Sequence, residues 1–183
     1  MEKKETIRKK YLLKRKKKYF NIHKKIFFPL KNLLKKKFNN KKISISLYYP
    51  TSYELNILRI LDLDYFAKSN ILLPIIEDNK SMNFYKWNKN QILTVNKHGI
   101  LEPIKTKIIF PKVILVPLLA FDSKKNRLGY GKGFYDKYLN KYIRRYKKIL
   151  TIGVAFSFQK HHNLPVNKYD AKLDYILTEK GIF

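Results

Sequence analysis

The chain has 183 residues, of which 45% are hydrophobic and 15% are aromatic. This length and apolar content suffice for one domain with its own core, and they exclude general disorder. The absence of cysteine excludes disulfides and thiolate metal sites. No apolar run approaches the ~20 residues that cross a bilayer, and the charged N-terminus lacks the apolar region of a secretory signal. We therefore expect a soluble cytoplasmic protein without a membrane partner.

The formal net charge of +28 arises from 41 basic and 13 acidic residues, and it has two interpretations. Such a charge is typical of proteins that bind nucleic acids or anionic membranes. It also follows from compositional bias, because the abundant residue types, Lys, Asn, Ile, Phe and Tyr, have AT-rich codons. Lysine greatly outnumbers arginine, which is better suited to bidentate recognition of phosphates and bases. We therefore favour compositional bias and expect no specific nucleic-acid partner.

Residues 2–38 are very basic and predict two helices. Because proline is not tolerated inside a helix, we place the end of the first helix near His23 and the start of the second near Pro29. Lys4 and Arg8 are four residues apart and therefore share one face of the first helix. Taken by themselves, they indicate a face that is exposed to solvent.

A strand, a turn and a helix follow. The alternating, β-branched residues 43–49 predict a strand, and residues 54–67 predict a helix capped by Thr51 or Ser52. Glu54 then has two interpretations. It is favourably placed at a helix N-terminus, or it is a carboxylate at the carboxyl end of a strand, where open α/β sheets bind ligands.

The next segments are predominantly apolar. Residues 71–76 predict a second buried strand. Met82, Phe84 and Trp87 belong to the core or form an apolar wall of a binding pocket, and we favour the core because aromatic residues are more often buried there. Residues 98–103 predict a shaped loop.

The most informative stretch begins with a buried strand over residues 113–116 and ends as an amphipathic helix. Between them, three of the six glycines of the chain, Gly129, Gly131 and Gly133, lie within five residues. The apolar positions of the helix are Tyr135, Tyr138, Leu139, Tyr142 and Tyr146. A strand, a glycine-rich loop and a helix bring backbone N–H groups against phosphate. The spacing differs from both the P-loop and the dinucleotide-binding pattern.

Charged side chains flank this loop. Arg127 and Lys132 are cations suited to phosphate oxygens. Asp136, in the first turn of the helix, is a hard oxygen ligand of the kind that Mg²⁺ accepts. The stretch therefore predicts a phosphate-binding loop with a magnesium ligand beside it.

The sequence AFDSKKNRLGYGKGFYDKYL resembles the signature of the 5-formyltetrahydrofolate cyclo-ligase family, which reads roughly PGxxFDxxGxRLGxGxGYYDxxL. The retained positions are Phe121-Asp122, Arg127-Leu128-Gly129, Gly131, Gly133, Tyr135-Asp136 and Leu139. The chain departs from the pattern at Leu118 and Asn126, where the family usually has glycine. The run is long and unusual in composition, so the resemblance is specific.

The resemblance runs nearly end to end and implies one domain over residues 1–183. It implies a three-layer α/β/α fold with a Rossmann-like, mainly parallel sheet, preceded by basic N-terminal helices. Residues 149–155 predict a further strand, and the alternation of strands and helices independently favours an α/β layered fold. The sequence shows no internal repeat or low-complexity linker.

The resemblance also implies an ATP site with Mg²⁺. Lys4 and Arg8 match an N-terminal K-x-x-x-R that contributes to ATP binding in the family. The implied ATP-binding residues are Lys4, Arg8, Arg127, Leu128, Gly129, Tyr130, Gly131, Lys132, Gly133, Phe134 and Tyr135. Among them, Arg127 and Lys132 are the implied catalytic cations. The implied Mg²⁺ ligands are Asp136 and Asp170, the latter from a second acidic motif that departs from the family at Asn167 and Tyr169.

A folate site follows from the same resemblance. Glu54 matches a folate-contacting glutamate in the family's E-[VI]-x-T motif, although Ile57 replaces the threonine here. Tyr49 is implied only by its position. The implied folate-binding residues are Tyr49, Glu54, Tyr130, Gly131, Lys132, Gly133 and Phe134.

The implied activity is the ATP-dependent cyclisation of 5-formyltetrahydrofolate to 5,10-methenyltetrahydrofolate through a phosphorylated formyl oxygen, with release of ADP and phosphate. We expect a monomer whose partners are these small molecules. Two alternatives remain: a basic nucleic-acid-binding module without catalysis, and a degraded cyclo-ligase without turnover. Salt-dependent binding to random RNA without ATP turnover would favour the first alternative. The adjacent His161 and His162 predict an ordinary loop, since their side chains diverge and no further ligand is evident.

Overall fold

The structure is a computed structural model that describes residues 2–77, 81–143 and 149–183. Within these ranges the α-helices are α1 (Lys4–Lys18), α2 (Phe28–Phe38), α3 (Asp64–Ala67) and α4 (Phe134–Ile143). The strands are β1 (Ser44–Ser46), β2 (Asn70–Glu77), β3 (Ser81–Lys86), β4 (Leu93–Val95), β5 (Leu101–Pro103), β6 (Val113–Pro117), β7 (Ala120–Phe121), β8 (Arg127–Leu128), β9 (Leu150–Val154), β10 (Tyr175–Thr178) and β11 (Gly181–Ile182). None of the described helices combines the length and apolarity needed to cross a membrane.

The central sheet contains seven of the described strands in the order β11-β10-β9-β6-β1-β2-β3. Strands β2, β1, β6, β9 and β10 run parallel to one another, and β3 and β11 are antiparallel at the two edges. The chain moves outward from β1 to β2 on one side and from β6 to β9 on the other. The carboxyl ends of β1 and β6 therefore meet at a topological switch point, where open α/β sheets bind ligands.

Apolar side chains cover both faces of this sheet. Alternate residues of β6 point to opposite faces, so Val113 and Leu115 join one core cluster while Ile114 and Val116 join the other. Helix α2 packs on the first face and α4 on the second. This arrangement confirms the predicted three-layer α/β/α fold with a mainly parallel sheet.

Helix α1 lies apart from these two layers. Its residues Ile7 and Tyr11 pack against Leu119, Ala120 and Leu128, in and beside the small β7–β8 hairpin. This third cluster fixes α1 beside the loops that follow β6.

Helix α1 is shorter than predicted, since it ends at Lys18 rather than near His23. Tyr19 leaves the helix with an extended backbone. The rings of Tyr19 and Phe20 then pack against Phe156 at centroid distances of 6.0 and 4.8 Å. Tertiary contacts therefore override the local helix propensity here. Helix α2 begins where proline predicted it.

The helix predicted over residues 54–67 is wrong except for its last turn, where α3 spans Asp64–Ala67. Ser52 and Tyr53 have left-handed backbone angles, with φ of 48° and 61°. A 3-10 segment, Ile57–Asp62, then replaces the first helical turns. The side chain of Asn56 caps it by accepting from the N–H of the residue two positions on, so neither residue predicted as the cap has that role.

The predicted strands agree better with the structure. Three of them coincide with β2, β6 and β9, whereas the strand predicted over residues 43–49 is limited to β1. Residues 98–103, predicted as a shaped loop, form the tip of the β4–β5 hairpin and its second strand. The helix predicted after the glycine-rich loop is α4, and Tyr146 lies outside the described residues.

Gly153 lies in β9 at the centre of the sheet, where the space for a side chain is already filled. A Cβ atom added there would lie 2.7 Å from Leu118 Cδ2 and 2.8 Å from the Cδ1 atoms of Leu173 and Ile176. Real Cβ atoms do not approach neighbours this closely, because protein interiors are close-packed. Glycine at this position therefore lets the segment after β6 pack directly on the sheet.

We expect Gly153→Ala to lower the free energy of unfolding by about 1–3 kcal/mol, because three core side chains must shift. Urea denaturation of the parent and the variant measures this difference. Ser46→Ala is the matched control, since the buried Ser46 hydroxyl has no hydrogen-bond partner among the described residues. Its removal leaves stability unchanged or raises it. Equal stability of Gly153→Ala and the parent would contradict this account of the packing.

Candidate active site

A cavity of about 960 Å³ opens at the carboxyl edge of the sheet, at the switch point between β1 and β6. Its size is at the upper end for small-molecule sites, which leaves room for more than one ligand. Its walls come from the start of α1, the loop after β1, the β4–β5 hairpin, the β8–α4 loop and the turn at residues 167–170. The structure thus brings every predicted ATP, folate and metal residue to the lining of one cavity.

The glycine-rich loop, residues 129–133, connects β8 to α4. Gly131 and Gly133 have positive φ angles of 101° and 70°, which side chains rarely adopt. The Arg8 guanidinium donates from Nε to the carbonyl oxygen of Gly129 at 2.9 Å. The positive φ of Gly131 favours glycine there, and a Cβ would also lie 3.2 Å from Arg8 Cζ, so the Arg8 side chain would have to shift. The loop and the N-terminal helix are therefore locked together.

Arg127 and Asp136 form a largely buried ion pair. Arg127 Nη2 lies 2.8 Å from Asp136 Oδ1, and the Arg127 side chain is only 4% exposed. The backbone N–H of Ala171 donates to the same oxygen at 3.1 Å. Removing one member of such a pair leaves the other charge buried and uncompensated. Asp136 therefore neutralises Arg127, and the catalytic role of Arg127 stays a prediction.

Lys4 and Asp170 form a second ion pair, which joins the first turn of α1 to the turn at residues 167–170. The backbone N–H of Asn167 donates to Asp170 Oδ2 at 2.7 Å, on the oxygen that Lys4 contacts. The N-terminal helix therefore closes the cavity on this side through a contact between residues far apart in sequence.

Asp136 and Asp170 fit a magnesium site to which the protein contributes only two ligands. Ala171, which follows Asp170, contacts Asp136, so the two carboxylates lie on neighbouring parts of the cavity wall. Their hydrogen bonds use Oδ1 of Asp136 and Oδ2 of Asp170, which leaves the second oxygen of each for a cation. No cluster of three or more His, Cys, Asp or Glu ligands occurs in the described part of the chain. Two carboxylates completed by water and substrate phosphates are the usual protein share of a Mg²⁺ site.

Lys132 is exposed and reaches the β4–β5 hairpin. Its Nζ lies 2.8 Å from Nδ1 of His98, which also lines the cavity. An ammonium group has only donors, so Nδ1 must be the acceptor in this contact. The hairpin thus holds the Lys132 side chain beside the cavity.

Glu54 is placed by a turn rather than by a helix. Its backbone N–H donates to the Thr51 carbonyl at 2.8 Å, and its carboxylate folds back onto the Thr51 N–H at 2.9 Å. The second carboxylate oxygen accepts from the Tyr130 hydroxyl at 2.6 Å. The side chain is only 6% exposed and lines the cavity. Of the two interpretations of Glu54, the structure therefore favours a carboxylate at the carboxyl end of a strand.

Burial dominates the electrostatics around Glu54. Loss of solvent raises the pKa of the Glu54 carboxyl above its usual value, and the hydrogen bonds from Tyr130 and Thr51 oppose this rise. Burial, followed by the negative charge of Glu54, raises the pKa of Tyr130. The Tyr130 hydroxyl therefore stays protonated and donates a hydrogen bond to Glu54.

Arg15, which the sequence prediction missed, does not line the cavity but contacts two residues that do, Ser52 and Tyr130. It is 1% exposed, and its Nη2 donates to the Ser52 carbonyl at 2.5 Å and to the Tyr130 hydroxyl at 2.6 Å. It lies seven residues, or two helical turns, after Arg8 and so shares its face of α1. That spacing is the signal that distinguishes it from the surrounding lysines.

The rest of the lining is largely apolar. Met82 is 4% exposed, belongs to the core and also contacts the cavity, so both interpretations of this residue hold. Phe84 and Trp87 are buried in the core and do not line the cavity. Tyr49 is half-buried and lines it, as predicted from its position. The cavity therefore combines a charged, glycine-rich end with an apolar wall.

A parallel sheet with a glycine-rich loop at its switch point and converging cations defines an α/β protein whose cavity is suited to anionic ligands. The model of the 5-formyltetrahydrofolate cyclo-ligase family matches residues 1–179. The chain belongs to this family.

Two curated relatives have similar sequences. The 5-formyltetrahydrofolate cyclo-ligase of Haemophilus influenzae is 29% identical over 142 residues, which span 74% of this chain and 75% of the relative. The 5-formyltetrahydrofolate cyclo-ligase of Mycoplasma genitalium is 33% identical over 135 residues, 73% of this chain and 71% of the relative.

Two solved structures have the same fold. The 5,10-methenyltetrahydrofolate synthetase of Aquifex aeolicus superimposes with a TM-score of 0.75 and 30% identity, covering 98% of this chain and 91% of that protein. The 5,10-methenyltetrahydrofolate synthetase of Mycoplasma pneumoniae has a TM-score of 0.73 and 25% identity, covering 97% and 99% of the two chains.

The raised pKa of Glu54 predicts a pH-dependent effect on stability. Between the ordinary value of 4.5 and the raised value, the folded state binds more protons at Glu54 than the unfolded state does. The free energy of unfolding of the parent therefore falls as the pH rises through this window. Glu54→Gln cannot titrate, so we expect its stability relative to the parent to increase from acid to neutral pH. Urea denaturation at a series of pH values measures this, and a relative stability that decreases with pH would show that Arg15 and Tyr130 outweigh burial.

Proposed function

We propose that this protein is an ATP- and Mg²⁺-dependent enzyme that cyclises 5-formyltetrahydrofolate to 5,10-methenyltetrahydrofolate, releasing ADP and phosphate. One observation carries the proposal: a single cavity joins a cationic glycine-rich loop to an apolar wall that ends at a buried carboxylate. A triphosphate suits the first end and a reduced pterin suits the second. Membership of the cyclo-ligase family supports the same assignment.

The glycine-rich end is suited to the phosphates of ATP. Gly131 and Gly133 allow backbone N–H groups to approach a phosphate closely. Lys4, Arg8 and Lys132 line this end and add positive charge. Phosphoryl transfer depends on positioning and charge neutralisation more than on a protein nucleophile, and these groups supply both.

The opposite wall is suited to a reduced pterin. Met82 and Tyr49 offer apolar surface to a flat ring system. Glu54 is an acceptor for the amino and ring N–H groups of the pterin, and its negative charge disfavours contact with ATP. The substrates therefore meet with the formyl group directed toward the phosphates.

The reaction follows from this arrangement. The formyl oxygen attacks the γ-phosphorus of ATP, forming a C–O–P linkage while the bond to the β-phosphate oxygen breaks and ADP leaves. Nitrogen N10 then attacks the activated formyl carbon and loses its proton to solvent. The C–O bond breaks, phosphate leaves, and the methenyl bridge between N5 and N10 is complete. Cations beside the glycine-rich loop stabilise the charge that develops on the transferred phosphoryl group.

Asp136 and Asp170 would hold Mg²⁺ through the oxygens that face away from their present partners. A bound Mg²⁺ ion supplies neutralisation of the phosphate charge. Arg127 and Ala171 orient Asp136, and Lys4 and Asn167 orient Asp170.

The decisive experiment is incubation of the purified protein with 5-formyltetrahydrofolate and MgATP while the absorbance of the methenyl product is followed. We expect product only when the folate, ATP and Mg²⁺ are all present. No product under any condition would identify a degraded cyclo-ligase or a different function. Product formed without ATP would contradict the phosphoryl-transfer mechanism.

We expect Asp136→Asn to lower turnover at least ~10-fold and to raise the Mg²⁺ concentration required for half-maximal rate, because it removes one charged ligand. Steady-state rates at varied Mg²⁺ measure both effects, and circular dichroism shows whether the variant is folded. Asp64→Asn is the control, since Asp64 is exposed at the start of α3. A folded Asp136→Asn variant with an unchanged Mg²⁺ requirement would show that Asp136 serves only as the ion-pair partner of Arg127 and is not a metal ligand.

We expect Glu54→Gln to weaken 5-formyltetrahydrofolate binding by about 2 kcal/mol, roughly 30-fold, while ATP binding barely changes. The variant loses a charged acceptor for the pterin and nothing that contacts phosphate. Separate titrations with each ligand measure the two affinities. Glu5→Gln is the matched control, because Glu5 is an exposed carboxylate on α1. Weaker ATP binding with unchanged folate binding would place Glu54 in the nucleotide or metal site.

A further inference from the structure

We propose that Arg15 is a positioning residue for folate recognition, which directs the Tyr130 hydroxyl onto Glu54 and thereby fixes the carboxylate that meets the pterin. This inference rests on the proposed function and adds a residue that none of the motifs of the sequence identified.

The contacts of Arg15 join α1 to two parts of the cavity wall and to the segment that follows β6. Its Nη2 donates to the Ser52 carbonyl in the loop after β1 and to the Tyr130 hydroxyl in the glycine-rich loop. Its Nη1 lies 3.5 Å from the Leu118 carbonyl after β6 and 4.0 Å from Glu54 Oε1. The guanidinium also lies 5.5 Å from the centre of the Tyr130 ring. Arg15 therefore contacts each element that places Glu54 and Tyr130.

The direction of the hydrogen bonds follows from the chemistry of the donors. A guanidinium group has donors only, so the Tyr130 oxygen must accept from Arg15. The single hydrogen of the hydroxyl is then free to point to Glu54 Oε1, 2.6 Å away. Since 4.0 Å is too long for a hydrogen bond, Arg15 acts on Glu54 mainly through Tyr130.

This arrangement is a poor way to stabilise a fold. Arg15 is 1% exposed, and its Nε has no hydrogen-bond partner among the described residues. A buried charge with incomplete hydrogen bonding is often less stable than an apolar side chain of similar size. A positioning role in the site accounts for the arginine where stability alone does not.

Tyr130 gives this network a second consequence. Its backbone belongs to the loop assigned to phosphate, whereas its hydroxyl contacts the carboxylate assigned to the pterin. Arg15 therefore holds the two substrate regions in a fixed relation, as near-attack geometry requires.

The network also determines how folate binding depends on pH. The charged and titratable groups that face Glu54 are Arg15, Tyr48, Tyr130 and Tyr135. Arg15 is the cation among them that lowers the pKa of the Glu54 carboxyl, against the larger effect of burial. Without Arg15, the pKa of the Glu54 carboxyl should be higher, so Glu54 becomes protonated at a higher pH. When the pH is lowered, folate binding should therefore be lost at a higher pH than in the parent.

The test compares the parent with Arg15→Met, Arg15→Lys, Tyr130→Phe and the double variant Arg15→Met/Tyr130→Phe. Lys16→Met is the matched control, since it removes a neighbouring positive charge from the exposed face of α1. KM for 5-formyltetrahydrofolate, KM for ATP and kcat are measured across pH, and circular dichroism establishes folding.

We expect folate KM to rise roughly ten-fold in Arg15→Met and in Tyr130→Phe, with little change in ATP KM. The double variant should be no worse than the more affected single variant, because both changes break one path. Arg15→Lys should recover part of the loss, since lysine retains the positive charge and N–H donors but lacks the planar, fixed donor geometry of arginine. In Arg15→Met the acid limb of the folate profile should move to higher pH, and Lys16→Met should match the parent.

Folate KM within about two-fold of the parent in a folded Arg15→Met variant would overturn the inference, and so would additive effects in the double variant. If Arg15→Met does not fold, the inference is tested with Tyr130→Phe and Arg15→Lys, because each of these substitutions keeps a side chain of similar size at its position. An unchanged folate KM in Tyr130→Phe then overturns the inference. Parent protein without turnover would contradict the proposed function, and the role of Arg15 with it. Active parent with unchanged variants contradicts the role of Arg15 alone.

Discussion

The docking of α1 across the carboxyl edge of the sheet is the constraint on which the cavity depends. Three of its cations each contact a different wall: Lys4 contacts Asp170, Arg8 contacts the glycine-rich loop, and Arg15 contacts Ser52 in the loop after β1. The helix takes no part in the central sheet and is held by the cluster around the β7–β8 hairpin. Segments distant in sequence therefore become one site only when the N-terminal helix is in place, which makes binding and the packing of α1 interdependent.

Burial and partners, rather than the total charge, distinguish the basic residues of the site. The net charge of +28 is carried mostly by lysines, whereas the two basic side chains fixed most deeply in the site are Arg15 and Arg127. Arginine loses less on burial because its planar group donates several hydrogen bonds in fixed directions. Surface lysines of this number affect the long-range field of the protein, but they do not define the geometry of the cavity.

Features of the site that depend on residues close together in the sequence were predicted, whereas features that depend on contacts between distant residues were not. The glycine-rich loop was predictable because Gly131 needs a positive φ whatever surrounds it, and the alternating apolar pattern similarly located β2, β6 and β9. A turn was predicted before Glu54, but its extension through Glu54 was not, since it depends on contacts with Thr51 and with the distant Tyr130. Arg15 was missed because a basic helix gives little local sign of which cation is buried, and its seven-residue spacing from Arg8 was the only indication. The full set of site residues came from the family resemblance, although the sequence pattern alone already indicated Glu54, Arg127, Lys132 and Asp136. The individual roles of all of them are still proposals.

The shared use of Asp136 explains how Arg127 and a metal ion can depend on the same carboxylate. Arg127 and the Ala171 N–H occupy Oδ1, which fixes the plane of the carboxylate. The other oxygen is then held in one orientation instead of rotating freely. Because Mg²⁺ demands near-ideal octahedral geometry, a carboxylate fixed in this way is a better ligand than a mobile one. In the proposed mechanism, the buried Arg127 therefore acts on the phosphates through the position of Asp136.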